Sequence, residues 1–206
     1  MNADVIVIGG GIAGLATARE LLQAGASVTI IERDVCGREA SWAGAGILSP
    51  LLPWDYSDPV TELTKFSNRL FPAFIEGLLA ETGVDPEYQP SGMLVVAGSP
   101  GREDAYSRAA EDWCTRRDYP FKEVNSSGVA PALAINEECL WLSGVCQVRN
   151  PRLLQALTRS VRLKGGVIIE LASVTELKTA HGNIESISTS QGNKFSAGCY
   201  VVTAGA

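Results

Sequence analysis

Three glycines, Gly9, Gly11 and Gly14, constrain this chain more than any other feature. They follow an apolar run from Val5 to Ile8 and open a helical pattern that lasts to Gly25, after which a second apolar run ends at Glu32. The order is strand, glycine turn, helix, strand, and the spacing is G-x-G-x-x-G. In that setting the first glycine permits the tight turn, the second lets the backbone approach a pyrophosphate, and the third lets helix and strand pack closely. The N–H groups at the helix start have no acceptor one turn earlier, and with the helix dipole they favour an anion. Glu32 stands where an acidic residue accepts hydrogen bonds from a ribose. A dinucleotide-binding unit is the expectation.

Composition narrows the remaining classes. A chain of 206 residues with a net charge of -6 and no run of lysine or arginine lacks the concentrated positive field that nucleic-acid binding needs. No apolar run approaches the roughly 20 residues of a membrane span, and the first strand begins too early for a secretory leader. The expectation is a cytoplasmic protein without nucleic-acid or membrane partners. Five cysteines, scattered without Cys-x-x-Cys spacing, fit reduced thiols rather than a disulfide frame or zinc site. The single histidine, His181, falls in an expected hairpin turn, and Glu137-Glu138 reads as a solvated face.

Along the chain, residues 34–50 are rich in Gly, Ala and Ser yet carry Trp42, Ile47 and Leu48. A linker would be more polar, so this is expected to be a loop packed on a cofactor. Residues 59–82 repeat apolar side chains at helical spacing, with Pro72 expected to kink or divide the helix. Then come a strand from Met93 broken at Ser99-Pro-Gly, a charged helix over 102–117, a short helix over 124–130 and a strand over 140–148. Asn150-Pro151 reads as a helix cap and first position, with the helix running to about Lys164. Short strands are expected at 167–170, 173–177, 184–189 and 194–196, and a last apolar strand from Cys199 to the terminus. A nucleotide-binding start, a differently patterned middle and a return to helix and strands imply two lobes, the second inserted into the first.

Taken together, Gly9-x-Gly11-x-x-Gly14, Glu32-Arg33, the stretch from Gly37 through Ser41-Trp-Ala-Gly-Ala-Gly-Ile-Leu to Pro50, Asn150-Pro-Arg-Leu and Val202-Thr-Ala-Gly-Ala resemble the flavin-dependent amino-acid oxidase family. Within it, residues 41–54 look most like the glycine oxidases of thiamine biosynthesis. The resemblance implies an α/β fold: a Rossmann-like FAD-binding domain of the glutathione-reductase type with an inserted α+β substrate domain, truncated at the C-terminus. The implied division is 1–85 and 149–206 for FAD and 86–148 for part of the substrate domain.

The same resemblance implies non-covalent FAD and a set of contacts. Ile12 and Ala13, with Gly9, Gly11 and Gly14, would lie against the pyrophosphate, and Glu32 and Arg33 at the adenosine. Ala40 and Ser41 would meet the diphosphate and ribityl chain, while Ala45, Gly46 and Ile47 would run beside the isoalloxazine ring. Val174 would contact adenine, and Ala204 and Gly205 would pass close to the cofactor. The implied reaction is oxidative deamination of glycine or a similar small amino acid or amine, with oxygen as acceptor, in thiazole synthesis. Family members continue beyond the last strand, and that portion supplies the substrate-binding residues. An FAD-binding fragment without turnover, or an amine dehydrogenase with another substrate, stays open, as does a homo-oligomer.

Overall fold

The computed structural model describes residues 2–49, 53–96, 103–133 and 138–205. The Ser99-Pro-Gly break and Glu137 lie outside them. In chain order the elements are β1 (Asn2–Ile8), α1 (Ile12–Gln23), β2 (Val28–Ile31), α2 (Ala40–Ala43), α3 (Asp58–Thr82), β3 (Met93–Val95), α4 (Glu103–Arg117), β4 (Lys122–Asn125), α5 (Ser126–Val129), β5 (Glu138–Leu142), α6 (Asn150–Leu163), β6 (Val167–Ile169), β7 (Val174–Ala180), β8 (Asn183–Thr189) and β9 (Lys194–Val202). Among the described residues, no helix is long and apolar enough to cross a membrane.

The chain separates into two compact units. The first comprises 1–45, 75–86 and 149–206, and the second 46–74 and 87–148. Residues 46–74, which the sequence reading assigned to the FAD-binding segment, cluster with the second unit, and the boundary falls within α3 just after Phe74.

The first unit is an α/β structure on a six-stranded sheet in the order β6-β2-β1-β9-β8-β7. The four strands from β6 to β9 are parallel, while β7 and β8 form an antiparallel hairpin at the edge. Val5 to Ile8 and Val28 to Ile31 form unbroken buried runs, as central parallel strands covered on both faces must. Burial of each large aliphatic side chain there stabilises by roughly 1.5–3 kcal/mol. On α6 the apolar face is Leu153, Leu154, Ala156, Leu157 and Val161, all buried, and α6 packs on α1.

That packing also buries polar groups. Arg19 of α1 is only 6% exposed. Its guanidinium reaches Ser160 Oγ of α6 at 3.1 Å and Glu81 of α3 at 3.2 Å. Glu81 in turn accepts from Ser160 Oγ at 2.8 Å and meets Lys164 Nζ at 3.1 Å. A buried cation is tolerated only with such a full set of partners.

The second unit packs α4 on a three-stranded antiparallel sheet, β3-β5-β4. Its core is Val95, Ala110, Trp113, Cys114, Leu140, Leu142 and Val145, with the Trp113 and Tyr119 rings 5.3 Å apart. Arg117 at the end of α4 pairs with Asp58 and Glu62 of α3.

Several local expectations change. α3 runs through Pro72 as one helix of 25 residues. The helix expected at 124–130 shrinks to the four residues of α5, because Lys122–Asn125 pair with β5 instead; Asn125 then caps α5 by accepting from Ser127 N–H at 3.0 Å. The strand expected at 140–148 ends at Leu142, and Gln147 makes isolated bridges with Ile47 and Gln89. The two last strands merge into β9, because pairing with β1 runs from Ser196 to Val202. α6 begins at Asn150 itself, with Arg149 in the cap position and no side-chain cap bond.

The Glu81 cluster predicts a pH signature. Burial alone would raise the Glu81 carboxyl, but Ser160, Lys164 and Arg19 outweigh it and hold it below the usual value of 4.5. A folded value below the unfolded one gives stability that is present above the unfolded value and lost as pH falls through the folded one. Glu81→Gln should therefore cost about 1–3 kcal/mol at neutral pH, and thermal melts of variant and wild type should converge below pH 4.5.

Candidate functional site

The carboxyl ends of β1, β2 and β9 open on a cleft of about 450 Å³ within the first unit. The position follows from topology, since β1 is followed in sequence by β2 on one side and paired with β9 on the other, leaving a crevice where the order reverses. Its volume lies within the range of small-molecule sites.

The glycine turn is built by contact with β9 as well as by its own chain. Gly9 has φ +109°, and a Cβ there would fall 2.4 Å from Thr203 O. At Gly14 a Cβ would sit 1.9 Å from Gly9 O and 2.7 Å from Thr203 Oγ1. Neither position can hold a side chain. Gly11 differs: a Cβ there would meet only Ser41 Oγ, at 3.1 Å, and the residue faces the cleft. Gly9 and Gly14 serve packing, and Gly11 leaves room.

At the mouth of α1, Gly11 is the N-cap residue and makes no side-chain cap bond. The cap comes from a distance: Ser41 Oγ accepts from Ile12 N–H at 3.0 Å. An oxygen acceptor thus sits on the positive end of α1, beside Ala13 and Ala40, which line the same cleft. Arg38 lies 4.5 Å over the Trp42 ring, and Gly37 N–H donates to Gly10 O at 2.9 Å, so residues 37–42 are fastened to the glycine turn.

Glu32 is 8% exposed and directly follows β2. Its carboxylate accepts from Gly10 N–H through Oε2 and from Asp34 N–H through Oε1 at 2.9 Å. Each oxygen keeps a second lone pair for hydroxyl donors facing the cleft. Arg33 is exposed and forms a fork with Glu39. Val174 lines the cleft from the start of β7, with Ala172 and Ser173, and Ala204 and Gly205 line it from the end of β9.

Of the residues singled out from the sequence, Gly9, Gly11, Ile12, Ala13, Glu32, Arg33, Ala40, Ser41, Val174, Ala204 and Gly205 therefore border one volume, with Gly14 packed behind the turn. Ala45, Gly46 and Ile47 do not line it. Ala45 ends a segment of the first unit, whereas Gly46 and Ile47 belong to the second, where Gly46 O accepts from Val148 N–H at 2.9 Å and Ile47 bridges Gln147.

Sequence reasoning passed over Gly10, Cys36 and Thr203. A Cβ on Gly10 would fall 2.4 Å from Cys36 Sγ. Thr203 Oγ1 contacts the carbonyls of Ile8 and Gly9 at 3.1 and 3.0 Å, bolting β9 to the turn. The extra glycine between Gly9 and Gly11 was the only available sign of the Cys36 contact. Partial burial, then the Glu170 and Glu32 carboxylates, push the Cys36 thiol up to about 12, which disfavours the thiolate. Among the described residues, no group of three or more His, Cys, Asp or Glu could hold a metal ion.

Comparisons with known proteins bear on the family and the fold. The family model described as FAD dependent oxidoreductase (DAO) matches residues 4–206. Glycine oxidase of Pseudomonas aeruginosa is 41% identical over 182 residues, covering 86% of this chain and 48% of that protein. Glycine oxidase of Pseudomonas putida is 34% identical, covering 100% of this chain and 56% of its own length. The crystal structure of glycine oxidase from Geobacillus kaustophilus superposes with a TM-score of 0.87 at 25% identity, over 100% of this chain and 56% of that one. The chain spans about half the length of the curated relatives it matches.

Two measurements check the local geometry. Gly14→Ala should cost about 3 kcal/mol or more through overpacking, while Gly11→Ala should cost about 1 kcal/mol or less, both read by denaturant melts. Alkylation at pH 8 should label exposed Cys199 well before half-buried Cys36, whose thiol is pushed up to about 12; equal labelling rates would contradict that difference.

Proposed function

The chain belongs to the DAO family of FAD-dependent oxidoreductases, and on that premise we propose that it is the FAD-anchoring portion of an amino-acid oxidase acting on glycine or a similar small amino acid. The observation that carries this reading is one cleft bordered at once by the N-terminus of α1, the open side of Gly11 and the Glu32 carboxylate. Those are the three fittings a dinucleotide needs: a donor array for the pyrophosphate, a gap for its close approach and an acceptor for a ribose.

In this reading Ala13 offers its N–H to the pyrophosphate, and Ile12, whose own N–H is taken by Ser41 Oγ, lies against it at the helix mouth. Glu32 accepts from the adenosine ribose with the lone pairs left over by Gly10 and Asp34 N–H. Arg33 flanks the adenosine, and Val174 covers the adenine edge. Ala40, Ala204 and Gly205 keep the middle of the cleft free of bulk. Ala45, Gly46 and Ile47 are assigned to the ring end, and the inserted substrate domain to 86–148. When bound, FAD supplies the two-electron acceptor that turns an amine into an imine, which water hydrolyses to oxo acid and ammonia while oxygen is reduced to peroxide. A place in thiazole synthesis is part of the proposal, resting on the resemblance of residues 41–54. Because these residues span about half the length of the curated relatives, anchoring without turnover is proposed for the 206 residues by themselves.

The test compares this chain with a form extended by its natural continuation. The extended form should be yellow and should bleach on anaerobic addition of glycine; a yellow protein that neither glycine nor sarcosine bleaches would overturn the substrate assignment. Bleaching of the 206-residue form would overturn its assignment to anchoring alone. Gly11→Leu in the extended form should keep the far-ultraviolet spectrum of the wild type and lose the flavin, and retention of flavin at full stoichiometry would overturn the assignment of the cleft.

A further inference from the structure

The acceptor at the ribose end of the cleft is held from behind the cleft wall. Glu170 directly follows β6 and does not line the cleft, yet its Oε1 accepts from Cys36 N–H, 134 residues earlier, at 2.8 Å. Gly10 and Cys36 likewise stand behind the lining rather than in it. We infer that Glu170 is a positioning residue for the adenosine half of the cofactor, acting through Cys36 and Gly10 on the Glu32 carboxylate. This rests on the assignment of the cleft to FAD.

Three observations carry this. The first is the path of the hydrogen bonds. Glu32 N–H donates to Ile169 O at 2.9 Å, Ala172 N–H to Glu32 O at 2.9 Å and Leu171 N–H to Asp34 O at 3.0 Å, so main chain zips the ends of β6 and β2 together as far as Asp34. Beyond that point the Glu170 side chain takes over and holds Cys36. On the other side, Gly37 N–H donates to Gly10 O at 2.9 Å. The loop after β2 is thereby pinned between the end of β6 and the glycine turn. The second is the contact at Gly10, which is not among the glycines of positive φ, so backbone conformation does not demand a glycine there. A side chain is excluded because Cys36 Sγ lies against the place a Cβ would take, with Glu32 Oε2 3.2 Å from the same point. Gly10 N–H donates to Glu32 Oε2 at 2.5 Å, so a shift of Cys36 displaces the donor that orients the carboxylate facing the ribose.

The third is the weakness of the other role open to Glu170. Its ion pair with Arg162 spans 3.9 Å, and the Arg162 side chain is 59% exposed, a geometry that contributes little in water. The short bond to Cys36 N–H is the stronger commitment, because a carboxylate accepting from a backbone amide makes a charge-assisted bond. Between Glu170 and Glu32 stands the Cys36 thiol. Burial and both carboxylates disfavour its thiolate, so the spacer between the two acids is neutral. An acceptor held in one rotamer before the ligand arrives lowers the ordering cost of binding.

The test uses the form extended by the natural continuation, stripped of flavin and titrated with FAD by quenching of flavin fluorescence. Glu170→Ala should weaken FAD by about tenfold or more, while Glu170→Gln, which keeps an oxygen for Cys36 N–H, should stay within about threefold of the wild type. At saturating FAD the visible spectrum of Glu170→Ala should match that of the wild type, because the change lies at the adenosine end. Circular dichroism melts of the stripped forms report folding. Where Glu170→Ala does not fold, a size swap decides: Gly10→Ala should weaken FAD by about tenfold, and Cys36→Ala added to it should recover most of that loss. A wild type that binds no FAD would overturn the assignment of the cleft together with this inference. With FAD bound by the wild type, the inference alone is overturned if folded Glu170→Ala binds FAD as tightly, if Glu170→Gln loses as much as Glu170→Ala, if the spectrum shifts, or if Gly10→Ala and Cys36→Ala act additively.

Discussion

The close seating of the β1 to α1 turn against the end of β9 is the contact on which the site depends. Gly9 and Gly14 lie so near Thr203 and each other that a single Cβ would fall within 1.9 to 2.4 Å of a carbonyl oxygen. That seating aligns the carboxyl ends of β1 and β9, aims the first turn of α1 into the crevice and brings Ala204 and Gly205 to its rim. Two residues far apart in sequence are thereby locked, because Thr203 reaches the carbonyls of Ile8 and Gly9 through its hydroxyl. Without it the glycines would be a flexible turn with no fixed direction.

Around that seat, polar groups do two jobs at once. Glu32 faces the cleft while its carboxylate fixes Gly10 and Asp34. Ser41 borders the cleft while it caps α1 through Ile12 N–H. Preorganisation of this kind lowers the ordering cost of binding, since the acceptors and donors are already held by the fold. Electrostatics follow the same plan, with the positive helix end and the buried carboxylate at different places along one volume rather than neutralising each other.

Much of the first unit was legible because its signals are local. The apolar runs at Val5 to Ile8 and Val28 to Ile31, the glycine spacing and the apolar face of α6 all declare themselves within a dozen residues, and each became the element expected. The second unit was less legible. Val124 was read as helical, but pairing with Cys139 made it part of a strand, and Gln147 left the expected strand to bridge Ile47 and Gln89. Strand pairing between distant segments overrides weak local propensity, and no window of sequence contains that partner.

The sequence by itself determined the dinucleotide turn, the acid at its proper distance and the family, because these reside in residue identity and short spacing. Tertiary structure decided what those residues do together. It made Ser41 the cap of a helix beginning 29 residues earlier, made Thr203 the bolt of the turn, and tied three helices through Arg19, Glu81 and Ser160. The physical reason is range: backbone preference and periodicity act over a few residues, whereas hydrogen bonds, close packing and surface fields act through space wherever the fold brings their partners.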